Sequence, residues 1–436
     1  MRVVACAKGS RGDVQPIASL VQSLLAKGIE SVIVTHKAHA CWLLNGHTIE
    51  EKHIVSVSTR PVEHSLSSFE EVMCFAKSIY TTTVRQGKDD SHQMISSDRD
   101  TAIVSNLFAL ESLHIARKLG VRWISLSPFV PQPAPDTIAF ELFQSHAFRN
   151  AHTTVQSAIS RWLWPVLTDK FDSLRAWLGC ETHTLDDLLS CSKESSIFQL
   201  NLSLDPRFLS AQSNELHPPR IDTLGFLQRL WKRKAFKKQP SPTIPWLEAD
   251  ASTAVVVLTL GSAAHVAPEP TRKAIANAAE RCADTLRVRL LIIGAAALSG
   301  SLRQSDWWRL FLDDDDVDLE RIFSRSSIVC FHGGIGTAAA AISSTPAPAV
   351  VVLPLHFDQH ANARLLEAQF QAAHVSPEGD VTDDLHAAIA SKLANRLAMG
   401  AHDCEALGCD NAKASAGVER LCKLLACERV SPKLTR

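Results

Sequence analysis

The sequence predicts an α/β protein made of two Rossmann-like halves, each a parallel sheet covered by helices. Short apolar runs alternate with segments of helical periodicity, first over 2–7, 17–25 and 31–35. This is the strand, helix, strand pattern of a parallel sheet. The alternation starts again at Ala254, after a charged and Pro-rich stretch. At 436 residues, the chain is much longer than the roughly 150 residues of one domain.

Composition places the chain among ordinary globular proteins, with 46% hydrophobic residues, 21% charged residues and a formal net charge of −1. The balanced charge gives no bulk electrostatic argument for a nucleic-acid partner. The eleven cysteines are scattered without a C-x-x-C pair, which favours free thiols in a reducing compartment over a disulfide framework. No apolar run approaches the ~20 residues of a membrane span, and the first residues do not read as a signal peptide. We therefore expect a cytoplasmic protein.

The first half begins with a strand over 2–7, followed by a tight loop from Gly9 to Pro16 and a helix that starts near Pro16 and stops at Gly28. Parallel sheets place ligands at the loops that follow their strands, and Gly9 to Pro16 is such a loop. It carries Asp13, which has two interpretations at this point. The carboxylate caps the helix N-terminus, or it serves as a base in a reaction.

Further strands are predicted over 101–105 and 121–126, with a helix over 109–119 between them. From 128 to 221 the pattern is less regular and rich in Trp and Leu, which fits either packing helices or the lining of a pocket. The basic stretch 229–238 precedes a Pro-rich segment. The favoured interpretation of this stretch is a solvated linker. The minority interpretation is a patch that binds anionic lipid headgroups and so brings the protein into peripheral contact with a membrane.

These observations define the predicted domains. They are an N-terminal domain over 1–228, a linker over 229–245 and a C-terminal domain over 246–436, whose last helix is expected to pack back on the N-terminal domain. Within the C-terminal domain, strands are predicted over 254–260, 288–293 and 350–353.

A glycine-rich turn in the second half has the strongest chemical signal of the chain. A buried strand over 328–331 leads into His332, three glycines at 333, 334 and 336, and Thr337, where a helix restarts. Glycines let backbone N–H groups approach an anion closely, and a helix N-terminus adds about half a positive charge. One strand later, Asp358 and Gln359 offer an acceptor and an amide for sugar hydroxyls. The pattern favours a phosphorylated sugar, such as a nucleotide-sugar.

This combination resembles the donor-binding signature of the nucleotide-sugar glycosyltransferases of the UDP-glycosyltransferase superfamily. The residues of the motif are most similar to those of sterol and macrolide-type glucosyltransferases and of the rhamnosyltransferase that makes rhamnolipid. The resemblance implies the GT-B architecture, in which two Rossmann-like domains face each other across a cleft. It also implies a set of donor-binding residues: Ser262, His332, Gly333, Gly334, Gly336, Thr337, Asp358 and Gln359.

The loop around Asp13 resembles the one that carries the catalytic aspartate in the sterol and glycopeptide-antibiotic branches of this family. The resemblance implies that Asp13 is the general base and that a hexose is transferred with inversion from a UDP- or dTDP-sugar co-substrate. An aspartate is a weak base for an alcohol at its usual pKa, and burial in a closed cleft is expected to raise it. With the donor loop in place we expect neither a metal nor a bound cofactor. The Trp- and Leu-rich segment favours a hydrophobic, hydroxyl-bearing acceptor, such as a natural product or a lipid.

The chain departs from the family at two places, and the first keeps the nucleobase open. Relatives often carry an aromatic residue shortly before the glycine loop, whereas this chain reads Leu319 to Phe323 there, with Trp307 and Trp308 further upstream. UDP and dTDP therefore both stay candidates. Ile335 replaces a small residue of many relatives, as in the rhamnosyltransferase.

The residues fit other classes of protein less well. A nicotinamide dehydrogenase would need G-x-G-x-x-G after the first strand, and Gly9 and Gly12 give only G-x-x-G. A P-loop enzyme would need a glycine loop that ends in Gly-Lys-Ser/Thr, which the chain lacks. The alternative that remains is a catalytically silent glycosyltransferase-like protein that binds a ligand or helps a partner.

Overall fold

The computed structural model describes most of the two sheets and their helices. The described residues are 1–9, 11–46, 49–58, 69–84, 101–106, 108–127, 164–179, 197–201, 221–223, 246–247, 253–265, 267–294, 308–311, 318–355, 359–377, 379–399, 418–419 and 422. They divide into two compact units, the first up to residue 223 together with 418–422, and the second over 246–399.

The first unit contains a parallel sheet of seven strands in the order β3-β2-β1-β4-β5-β6-β7. The strands are β1 Arg2–Ala7, β2 Glu30–His36, β3 Ile54–Val57, β4 Thr101–Asn106, β5 Arg122–Ser127, β6 Ile197–Asn201 and β7 Ile221–Thr223. The helices are α1 Arg11–Ala26, α2 Lys37–Gly46, α3 Phe69–Thr83, α4 Glu111–Leu119 and α5 Trp164–Leu178.

The central strand β1 is buried on both faces, which explains its continuous apolar run. Val4 pairs with Val32 on one side and with Ile103 on the other. One core cluster packs Val3 and Ala5 against apolar residues of α1, while the other packs Val4 and Cys6 against α3, α4 and α5. Helices therefore cover both faces of the sheet.

The second unit contains a parallel sheet of six strands in the order β10-β9-β8-β11-β12-β13. The strands are β8 Val255–Thr259, β9 Arg289–Ile293, β10 Trp308–Phe311, β11 Ile328–Phe331, β12 Ala349–Val352 and β13 Ala373–His374. The helices are α6 Glu269–Leu286, α7 Leu319–Phe323, α8 Ile335–Ser343, α9 Gln359–Phe370 and α10 Val381–Met399.

The two sheets repeat one topology. Counted from the first strand of each unit, the first six strands follow the order 3-2-1-4-5-6, which is the doubly wound Rossmann order. The order reverses between the first and fourth strands, namely β1 and β4 in one sheet and β8 and β11 in the other. Ligands of such sheets bind at the carboxyl ends of these strands.

The first residues of the second unit and the last described residues of the chain are held by specific contacts. The Arg289 guanidinium donates to the carbonyl oxygens of Trp246 and Leu247 and lies over the Trp246 ring. Val418 is buried in the core of the first unit, and Lys27 forms an ion pair with Glu419 at 3.7 Å.

The linker 229–245 lies outside the described residues. Of the helices in the described ranges, none is long and apolar enough to cross a membrane.

Two helix starts differ from the sequence prediction. Helix α1 begins at Arg11 rather than near Pro16, so Asp13 lies in its first turn and not in a loop before it. The predicted loop from Gly9 to Pro16 was therefore wrong, because Pro16 lies inside α1 and does not mark its first turn, where proline is best tolerated. Helix α8 likewise begins at Ile335 rather than Thr337, so Gly336 is helical.

Candidate active site

The glycine-rich turn lies where the sequence predicts it, at the switch point of the second sheet. β11 ends at Phe331, and the turn consists of His332, Gly333 and Gly334 before α8 begins. Gly334 is the N-cap residue of α8, so the N–H groups of the first helical turn point toward the end of the sheet. A helix N-terminus of this kind attracts an anion.

His332 occupies a slot formed by two glycines. Its side chain is buried, with 8% of the residue exposed. A Cβ placed on Gly261, in the turn after β8, would lie 3.0 Å from Cε1 of the imidazole, and a Cβ on Gly334 would overlap Nε2. The ring also packs edge-on against Phe331, with centroids 6.4 Å apart. The slot therefore fixes the imidazole between the turns of β8 and β11, at the N-terminus of α8.

The start of α9 is attached to the same turn. Gly333 has a positive φ of 90°, and a Cβ on it would lie 2.8 Å from the carbonyl oxygen of Gln359. The Nδ2 of Asn362 donates to the Gly333 carbonyl at 2.9 Å. Gln359 Oε1 accepts from the Leu355 backbone N–H at 2.9 Å, which closes the loop between β12 and α9. The structure thus brings Gln359 beside the glycine turn.

The remaining predicted donor residues are placed less completely. Gly336 and Thr337 lie in the first turn of α8, and a Cβ on Gly336 would meet no atom within 4 Å. Ser262 belongs to the 3-10 turn Gly261–His265 after β8, and only its backbone is described. Asp358 lies outside the described residues, as do most of the predicted segment 128–221 and Trp307.

The first sheet places Asp13 at the corresponding switch point. Gly9 leaves β1 with a positive φ of 99°, and a Cβ on it would lie 2.7 Å from Oδ2 of Asp13 and 3.1 Å from the ring of Phe108. Phe108 follows β4 and is 50% exposed. The Asp13 carboxylate and an exposed aromatic ring therefore lie together at the carboxyl ends of β1 and β4.

Side chains from α2 border this turn. The Arg11 guanidinium lies over the Trp42 ring, 4.5 Å from its centroid. His39 Nε2 lies 3.0 Å from the Gly9 carbonyl oxygen, which assigns its proton to Nε2 in the neutral ring. Burial lowers the pKa of His39, a shift that the bond to Gly9 partly offsets, and the charges of His36 and Arg11 lower the pKa further. His39 is therefore neutral at pH 7.

A cluster of four buried ionisable groups lies directly below the Asp13 turn. Lys8 Nζ contacts Glu111 Oε1 at 3.0 Å and Glu71 Oε1 at 3.4 Å, and Glu71 also contacts His36 Nε2 at 3.3 Å. Burial alone would raise the pKa of Glu71, but the His36 bond and the Lys8 charge outweigh it and lower that pKa. The ring of Phe75 lies 5.2 Å from Lys8 Nζ. We call Lys8, His36, Glu71 and Glu111 the charge cluster.

The sequence reasoning missed the residues that hold these two turns. Asn362 had a readable signal, because it follows Gln359 by one helical turn and therefore lies on the same face of α9. Asn106 ends β4, a position that favours ligand contacts in such a sheet. Glu71 and Glu111 had no local signal, because their partner Lys8 is far away in the sequence.

No protein-family model matches the chain, and no curated protein matches its sequence. Solved structures do match its fold. The glycotransferase of kitacinnamycin shares 16% identity and a TM-score of 0.58, over 98% of this chain and 94% of that one. Arabidopsis thaliana UGT89C1, solved with UDP, shares 14% identity and a TM-score of 0.59, over 98% and 100%. VinC, solved with dTDP, shares 15% identity and a TM-score of 0.51, over 98% and 96%.

The chain therefore has the GT-B fold of these glycosyltransferases, and the match extends over nearly its full length. The predicted fold class, α/β with two Rossmann-like parallel sheets, is confirmed. At identities this low the likeness establishes the fold alone, and the activity has to be argued from the two switch points.

Proposed function

We propose that the protein is a metal-independent glycosyltransferase that moves a hexose, with inversion, from a UDP- or dTDP-sugar to a hydroxyl of a hydrophobic acceptor. The observation that carries this proposal is the slot of Gly261 and Gly334, which holds the His332 imidazole at the N-terminus of α8. Such an arrangement gathers a side-chain donor, backbone N–H groups and a helix dipole at one point. A diphosphate is the ligand that uses all three.

In the proposed reaction, the first unit supplies the base. The Asp13 carboxylate accepts the proton of the acceptor hydroxyl as the hydroxyl oxygen attacks the anomeric carbon of the donor sugar. The bond between that carbon and the diphosphate oxygen breaks, and the nucleoside diphosphate leaves with the electron pair. Phe108, exposed beside Asp13, offers the acceptor an apolar contact.

The second unit stabilises the leaving group. The N–H groups at the start of α8, the Thr337 hydroxyl and His332 donate to the diphosphate oxygens, on which negative charge builds up during bond breaking. Each preorganised donor of this kind contributes about 2.7–4 kcal/mol of transition-state stabilisation. Ser262 and Asp358 join this set by resemblance to the family, and Gln359 contacts the sugar through its amide nitrogen.

The test is isothermal titration with UDP and dTDP in chelator-treated buffer. We expect one nucleotide to bind the wild type without metal and to bind His332→Ala at least about tenfold more weakly, which corresponds to about 1.4 kcal/mol. His386→Ala is the matched control, because His386 lies on α10 beside Thr285 and should leave binding unchanged. Absence of binding by either nucleotide would overturn the proposal and favour the silent helper protein.

A further inference from the structure

The turn that carries Asp13 is attached to β4 by one buried side chain. Asn106 is the last residue of β4 and is only 3% exposed. Its Oδ1 accepts from the Lys8 backbone N–H at 3.3 Å, and its Nδ2 donates to the Lys8 carbonyl at 2.7 Å. The same Nδ2 donates to the Asp13 carbonyl at 3.3 Å. One amide thus connects the end of β1, the first turn of α1 and the end of β4.

The chemistry of this position is specific to an amide. A side-chain amide has two N–H donors on one nitrogen and an accepting oxygen, so it satisfies two carbonyls and one N–H at once. An ionised aspartate has the same shape but only accepts, and it would set a negative charge against the carbonyls of Lys8 and Asp13. The buried Lys8 carbonyl would then lose its side-chain donor, which costs about 1–3 kcal/mol, and the part-buried Asp13 carbonyl would lose its bond to β4.

The other end of Lys8 is also fixed. Its ammonium group is held by Glu111 and Glu71 in the charge cluster, so both the backbone and the side chain of Lys8 are immobilised. Gly9, which follows Lys8 in the chain, is held by a different side chain, because His39 donates to its carbonyl oxygen. Of these side chains, Asn106 is the one that bonds to Asp13 itself. Its amide therefore joins the first turn of α1 to the end of β4.

We propose that Asn106 is a positioning residue, which fixes the Asp13 carboxylate for proton abstraction by attaching the first turn of α1 to β4. The inference rests on the proposed function. Proton transfer requires contact geometry, and a misplacement of about 1 Å can lower a rate by about 100-fold. The Asn106 amide does not touch the substrate, so its effect is expected on the catalytic step and not on nucleotide binding.

The test compares Asn106→Ala and Asn106→Asp with Asn362→Ala. Asn362 is the matched control, because its amide likewise donates to a backbone carbonyl of a glycine-containing turn, but in the second unit. Transfer is assayed with UDP-glucose and dTDP-glucose and a panel of a sterol, a polyketide aglycone and a hydroxy fatty acid. Nucleotide affinity is measured by titration, and the amides of residues 8–14 are followed by hydrogen exchange.

We expect both Asn106 variants to lower kcat about 10- to 100-fold with nucleotide affinity unchanged, and to speed exchange in the Asp13 turn. In Asn106→Asp, the added negative charge should also move the acidic limb of the pH–rate profile upward, a shift that Asn106→Ala should not show. Asn362→Ala should instead weaken nucleotide binding.

Two outcomes would overturn the inference. One is wild-type kcat and wild-type exchange in Asn106→Ala. The other is an equal loss of nucleotide binding and transfer in the Asn106 variants, because Asn106 would then act on overall folding. A wild type that neither binds a nucleotide nor transfers a sugar would contradict the proposed function itself, and the inference with it.

Discussion

Two turns can be compared directly, because they lie at the switch points of two sheets with the same strand order. One carries Asp13 and the other carries His332, and both use glycines to make room for the functional side chain. Each contains a glycine with positive φ, Gly9 at 99° and Gly333 at 90°. In each, the tip of the functional side chain lies in the space that a Cβ on a glycine would occupy, Asp13 at Gly9 and His332 at Gly334. A larger residue at either glycine would displace the group that we assign to the chemistry.

The two turns differ in what holds them. The Asp13 turn is bonded by the Asn106 amide and is also linked through Lys8 to the buried charge cluster. The described contacts of the His332 turn are neutral hydrogen bonds and close packing against glycines. A buried charge is stabilised only while its partner is present, whereas a close-packed slot depends on volume. The first unit should therefore respond most to changes in charge and the second to changes in side-chain size.

The largest effect is expected from Lys8→Met. This change leaves Glu71 and Glu111 buried without their shared cation, and breaking a buried ion pair costs about 3–5 kcal/mol. Urea unfolding measures the loss in free energy. Lys27→Met is the control, because the exposed Lys27–Glu419 pair should contribute no more than about 1 kcal/mol. Equal stability of Lys8→Met and the wild type would show that the charge cluster does not hold the first turn.

A smaller effect is expected from Gly334→Ala. Its methyl group would overlap the His332 ring and push the imidazole out of its slot, at a cost of about 1–3 kcal/mol in stability. Nucleotide affinity should fall about as far as in His332→Ala, as measured by titration. For stability, Gly336→Ala is the comparison, because its methyl group meets no atom within 4 Å and it should unfold at the same urea concentration as the wild type or higher. An unchanged affinity in Gly334→Ala would argue against a role for the slot.

The sequence predicted the strands of this site closely, because a strand buried on both faces is a continuous apolar run. The strand over 328–331 is found with those bounds, and the strand over 2–7 likewise. The helix starts were harder to predict. Gly12 and Asp13 are poor helix formers by local propensity, but together with Arg11 they form the first turn of α1 in the folded unit.

The contacts that hold the turns could not be predicted from local patterns. Lys8 and Glu111 are separated by 103 positions, and Asn106 and Lys8 by 98. Only the pairing of β1 with β4 brings them together. The position of Asn362 one helical turn after Gln359 was visible in the sequence, but its bond to Gly333, 29 positions away, depends on the pairing of β12 with β11. Long-range pairing, which sequence periodicity does not encode, therefore decides how the predicted site residues are held.

The proposed function assigns the base to the first unit and nucleotide binding to the second. Asp13→Asn tests it most directly, through nucleotide affinity and transfer rate measured on one preparation. We predict that the affinity stays at the wild-type value while kcat falls about 10²- to 10⁴-fold, the usual contribution of a general base. A transfer rate within a few-fold of the wild type would contradict the claim and remove Asp13 from the mechanism.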